Sequence, residues 1–137
     1  MQKEGIVVGF ENLEVWKESC RLAVEIYDAL KDCKDYGLRD QMQRAGVSIP
    51  SNIAEGAERQ SVKEFCQFLY IAKGSSAELR TQLYIATRIG VISNEKCTEF
   101  TSRCKSIAGQ IQKLISSLDA SRGWGGTSKV EGLRFKV

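Results

Sequence analysis

The chain contains no histidine, a single proline and no CxxC pair among its five cysteines. Without histidine, the common zinc ligand sets, the Ser-His and Cys-His nucleophile pairs and the Glu-x-x-His di-iron site are all excluded. An odd number of cysteines, at positions 20, 33, 66, 97 and 104, argues against a disulfide framework. They read instead as reduced thiols serving as small hydrophobes, which places the protein in the cytoplasm. No apolar run approaches the roughly 18 residues of a membrane span. The opening MQKEGIVVGFENLE carries acids and lacks both a long apolar core and a small-residue cleavage site, so it is no secretory signal. These absences point to no cofactor, no metal, no membrane and no evident small-molecule substrate. With no nucleophile-base pair to assemble, no enzyme is expected.

What is present is helical periodicity. A chain of 137 residues, 42% hydrophobic and 27% charged, has the size and composition of one globular domain. From Val62 the apolar positions Phe65, Leu69, Ala72, Ser76, Leu79, Leu83, Ala86 and Gly90 follow in steps of three and four. Such a stripe is a seam for packing against other helices. Cys97, Phe100, Cys104, Ile107, Ile111, Leu114 and Leu118 repeat the pattern, as do Leu13, Trp16, Cys20, Ala23, Tyr27 and Leu30. Three long amphipathic helices are therefore expected, near residues 12–34, 61–90 and 94–118. Asn12 suits an N-cap, Asp35-Tyr36-Gly37 closes the first helix, Gly90 ends the third, and Ser93 or Asn94 caps the fourth. Connections this short make neighbouring helices antiparallel.

The remaining segment, near 38–58, holds Pro50. A proline inside a helix loses one backbone hydrogen bond and presses on the carbonyl four residues back, at a cost of about 3 kcal/mol. Here that residue is Gly46, easily displaced, with Ser48 and Ser51 nearby to satisfy freed backbone groups. The seam Leu38, Met42, Ala45, Ile49, Ile53 and Gly56 runs through the proline, which predicts one helix bent at Pro50. The competing arrangement ends the helix at Gly46 and restarts it with Ser48 as N-cap and Pro50 in the first turn. The fold class is all-α, an antiparallel up-down four-helix bundle over 12–118, with residues 1–11 as an N-terminal extension. Residues 119–137, DASRGWGGTSKVEGLRFKV, leave the pattern and read as a Gly-rich flexible tail. Within it Val130, Leu133, Phe135 and Val137 suit a short strand, alongside Ile6-Val7-Val8.

Two blocks in the middle of the chain carry a resemblance. Residues 41–92, QMQRAGVSIPSNIAEGAERQSVKEFCQFLYIAKGSSAELRTQLYIATRIGVI, resemble the core signature of the four-helix bundle family first named for reading frames in intervening sequences of bacterial 23S ribosomal RNA genes. The likeness runs from Phe10-Glu11-Asn12-Leu13-Glu14-Val15-Trp16 to about Leu118. It implies an antiparallel bundle assembled as a ring-shaped homopentamer. The family also includes the accessory protein of diversity-generating retroelements, a basic pentamer that binds a reverse transcriptase and nucleic acid. The resemblance thus implies a homo-oligomer, with RNA, DNA or a reverse transcriptase as partners, and no enzyme.

At roughly 100° per residue, Lys63, Tyr70, Lys73, Arg80, Tyr84 and Arg88 gather into one stripe beside the seam of the third helix. Cations interleaved with aromatics suit nucleic acid, since the cations displace counterions from phosphates and tyrosine offers a stacking face. The alternative is that this stripe meets the acidic one formed by Glu14, Glu18, Glu25, Asp28 and Asp32 on the first helix. Charge is separated along the chain: residues 1–36 hold five basic and eight acidic residues, net −3, and residues 94–137 hold eight basic and four acidic, net +4. The total of +3 is modest for a nucleic-acid binder. Asn52, Glu55 and Glu78 read as a structural polar motif near the bend, with Arg44 or Arg80 as partners. Phe68, Ile71 and Ile85 lie off the third seam and are expected to face a neighbouring subunit.

Overall fold

The computed structural model describes residues 9–121. Among the described residues a 3-10 turn, Phe10–Asn12, leads into four helices: α1 (Glu14–Ala29), α2 (Tyr36–Ala57), α3 (Val62–Arg88) and α4 (Asn94–Ser121). There is no strand among the described residues. Each helix packs on its neighbour in sequence, and α1 closes the bundle against α4. The N-terminal extension before Gly9 and the tail beyond Ser121 lie outside the described residues. So do the expected strand segments at Ile6 to Val8 and Val130 to Val137.

The helix breaks follow local chemistry. Asp35 does not close α1; its Oδ1 accepts the Leu38 amide at 3.1 Å and opens α2. Ser61 and Ser93 do the same for α3 and α4 by accepting from the Glu64 and Lys96 amides, both at 3.1 Å. Gly90 ends α3 in the left-handed region at φ 83°, where a side chain would be strained. Asn12 is no cap: it sits in the 3-10 turn, and Leu13 stands at the N-cap of α1 without a side-chain bond. Helix α1 also stops at Ala29, five residues short of expectation.

The core is a continuous apolar cluster contributed by all four helices, including Leu22, Ile26, Met42, Ile49, Leu69, Leu83, Phe100 and Ile111. Burying each such side chain stabilises the fold by about 1.5–3 kcal/mol relative to exposure. The seams of α2, α3 and α4 lie where periodicity puts them, with Ile115 added on α4 and Gly90 exposed. The seam of α1 does so only in part: Ala23 and Leu30 are buried and Leu13 and Trp16 pack against the core, but the stripe is shifted. Its buried residues are Val15, Ser19, Leu22, Ala23 and Ile26, whereas Tyr27 is 47% exposed. Ser19 hides in this face by donating its hydroxyl to the Trp16 carbonyl at 3.0 Å, which removes the cost of burying it.

Helix α2 runs unbroken through Pro50, which excludes a restart at Ser48. Pro50 and Gly46 are both buried. Asn52 Nδ2 donates to the Ser48 carbonyl at 2.8 Å and to the Ser48 hydroxyl at 2.9 Å. That hydroxyl meets Ser75 Oγ at 2.9 Å on α3. The side chains around the proline therefore tie α2 to its neighbour.

Candidate nucleic-acid interface

Two contacts set the edge between α3 and α4. Ser76 donates its hydroxyl to the Cys104 carbonyl at 2.8 Å, and Lys73 Nζ donates to Gln112 Oε1 at 2.7 Å. Lys73 and Arg80 are half-buried along this edge, and Lys63, Tyr70, Tyr84 and Arg88 stand exposed. Arg80 is close enough to Cys104 to act on its thiol electrostatically; burial dominates there, and pushes that thiol up to about 11. It stays protonated at neutral pH and is a packing group, not a nucleophile.

The acids of α1 have other partners. Arg103 of α4 bonds both Glu25 oxygens, at 2.8 and 3.2 Å, and also reaches Glu99 at 3.3 Å. The Arg103 hydrogen bond holds the Glu25 carboxyl below the usual carboxylate range, and Glu25 in turn raises the Arg103 guanidinium. Glu18 pairs with Arg21 on α1 itself, and Asp28 with Lys31 just beyond its end. Among the described residues, no carboxylate pairs with Lys63, Lys73, Arg80 or Arg88. Lys105 and Lys113 of α4 are exposed and have no ion-pair partner among the described residues either. Within one subunit, then, the basic and acidic stripes do not meet.

The polar motif divides. Asn52 joins the Ser48–Ser75 bridge, while Glu55 pairs with Arg59 at 2.7 Å rather than with Arg44 or Arg80. Arg44 and Glu78 are exposed without an ion pair among the described residues. Arg59 also lies 4.8 Å above the ring of Phe68, so that phenylalanine is engaged inside the subunit. Ile71 and Ile85 are about half exposed, as is Ile89. The cross-helix partners Gln112, Ser75 and Arg103 carry no sequence signal of their own, because each depends on the register between two helices.

No group of three or more metal-ligating side chains forms among the described residues, and no described helix is long and apolar enough to cross a membrane. No curated protein matches the chain. Among solved structures, it is similar to a protein of unknown function from the S23 ribosomal protein family of Bacteroides thetaiotaomicron. The two are 28% identical with a TM-score of 0.70, over 74% of this chain and 97% of that one. The family model for 23S rRNA-intervening sequence proteins matches residues 11–113, which span all of α1, α2 and α3 and most of α4. With the four-helix fold and both central sequence blocks in place, the chain belongs to the 23S rRNA-intervening sequence protein family.

Proposed function

We propose that the protein is a non-enzymatic oligomeric adaptor that binds nucleic acid, a nucleic-acid enzyme such as a reverse transcriptase, or both, through the basic face of α3 and α4. The observation that carries this reading is the set of cations left without carboxylate partners among the described residues: Lys63, Arg80 and Arg88 on α3, Lys105 and Lys113 on α4. Lys73 joins them with only the neutral Gln112 as partner. Tyr84 stands exposed among them. Such cations release counterions when they meet phosphates, and an exposed ring stacks on unpaired bases.

The test is a mobility shift with RNA and DNA at two salt concentrations. Wild-type binding should weaken steeply as salt rises. Lys73→Glu combined with Arg80→Glu should abolish it, with circular dichroism and light scattering unchanged. If the wild type binds neither nucleic acid at low salt, protein partners alone remain. A second reading, a purely structural or protein-binding homo-oligomer, is favoured by the exposed Ile71, Ile85 and Ile89 of α3. In that case the double variant falls into monomers, because the cations meet the acidic stripe of a neighbouring α1.

A further inference from the structure

Between α1 and α2 lies a shallow groove of about 400 Å³, walled by Trp16 and Val24 on one side and by Val47, Pro50 and Ala54 on the other. Val24 and Val47 are exposed, so the bundle leaves this apolar face uncovered. A second uncovered apolar surface stands on α3. Ile71, Glu78 and Ile85 follow one another at intervals of seven and so share one stripe of that helix, with both isoleucines about half exposed. The first surface is a trough between two helices and the second is a ridge on one helix, which are the shapes that helix packing joins. Contiguous apolar surface of this kind marks a place where something docks.

Charge matches the two surfaces to each other. On the α1 wall Lys17 lies seven residues before Val24, and on the α2 wall Arg44 lies seven before Ser51, which also lines the groove. Neither cation has an ion pair among the described residues. Gly46 packs against Ala23, whose Cα would stand 3.7 Å from a methyl group there, and this contact sets the antiparallel register of α1 and α2. Counted from it, Lys17 and Arg44 stand about 12 Å apart along the groove, with Val24 and Val47 between them. The ridge has the opposite sign at its centre. Glu78, midway between the isoleucines, is exposed and has no ion pair among the described residues.

We propose that the α3 ridge of one copy seats in the α1–α2 groove of a second copy, with Ile71 and Ile85 on the apolar walls and Glu78 between Lys17 and Arg44. Ridge and groove are different patches of the same subunit. Every copy therefore offers one of each, and the contacts run head to tail until they close on themselves. This rests on the oligomeric part of the proposed function and supplies its interface. It leaves the basic edge open, because Lys73 and Arg80 lie roughly 150° away round α3, on the side where Lys73 meets Gln112 of α4.

The test is charge reversal read by light scattering on the full chain, with circular dichroism to show that each variant is folded. Glu78→Lys should bring the assembly down to the chain mass, and so should Lys17→Glu combined with Arg44→Glu. All three substitutions in one chain should restore the wild-type mass, because the signs are then exchanged across the contact. Cys20 lines the groove and is half-buried, which makes it a reporter. In Glu78→Lys its alkylation should be several-fold faster than in the assembled wild type, with Cys33, the other half-buried thiol, unchanged. An assembly that survives Glu78→Lys, a triple variant that stays dispersed, or a Cys20 rate that does not rise on dispersal overturns this interface and leaves the oligomer standing. A wild type that is monomeric at micromolar concentration overturns the oligomer itself, and the interface with it.

Discussion

Gly56 lets α2 lie directly against α3. A methyl group there would stand 2.8 Å from Phe68 Cβ and 2.9 Å from Phe65 Cδ1, with the Phe65 carbonyl at 3.1 Å. Gly56→Ala should therefore cost about 1–3 kcal/mol through overpacking, seen as a lower urea midpoint at unchanged slope. Gly74, in the middle of α3, has nothing within 4 Å of the same methyl. Gly74→Ala should raise stability by about 0.5–1 kcal/mol in the same measurement. The Glu25–Arg103 pair has a pH signature. Because the folded carboxyl is held low, its contribution is present above the ordinary glutamate value near 4.3 and lost as pH falls through the folded value. Both groups retain solvent contact, which limits the contribution to under about 1 kcal/mol. The urea midpoint of Arg103→Gln should trail the wild type at pH 7, and the gap should close on acidification below the ordinary glutamate range.

At the scale of the helix, three hydroxyl or carboxylate caps hold the starts of α2, α3 and α4. Asp35→Ala, Ser61→Ala and Ser93→Ala should each cost about 1 kcal/mol, whereas Asn12→Ala, which removes no cap bond, should shift the thermal midpoint little. The contrast shows where the sequence could and could not be read. Ser93 and Gly90 are punctuation that the chain announces locally. Asn12 and Asp35 are chemically just as suited, but Asn12 is a cap only if α1 starts right after it, and which helix Asp35 serves depends on where α1 stops. The α1 seam, right at Ala23 and Leu30, is shifted elsewhere for a related reason. That helix has two apolar stripes, one through Trp16, Cys20 and Tyr27 and one through Val15, Leu22 and Ile26, and periodicity alone cannot say which finds a neighbour. The buried Ser19 disguised the true one. On α3, where a single stripe dominates, spacing placed Leu69, Ala72, Ser76, Leu79, Leu83 and Ala86 in the core and missed Cys66, Ser75 and Gln82 beside it. The candidate basic stripe could be assembled from helical geometry because it lies on one helix. Its link to Gln112 required the register between α3 and α4.

For the whole molecule, the exposed Ile71 and Ile85 are a liability in a lone subunit. In an assembly with five copies, light scattering should give roughly five times the 15.3 kDa chain mass. Ile71→Glu with Ile85→Glu should return a monomer of unchanged helicity. If the wild type is itself a monomer at micromolar concentration, the oligomeric adaptor is lost.

The bundle also has a weak side. Helix α3 is embraced along its length by α2 and α4, while α1 meets α4 far less than α2 meets α3. Closure between the first and last helices is the one pairing that must wait for the whole bundle to be made, and the Arg103–Glu25 clasp spans it. The rest can zip together as successive hairpins, a local order of assembly that favours fast folding. Run backwards, the same asymmetry makes α1 the first helix to swing away under thermal agitation, so its amide hydrogens should exchange with solvent ahead of those in α3.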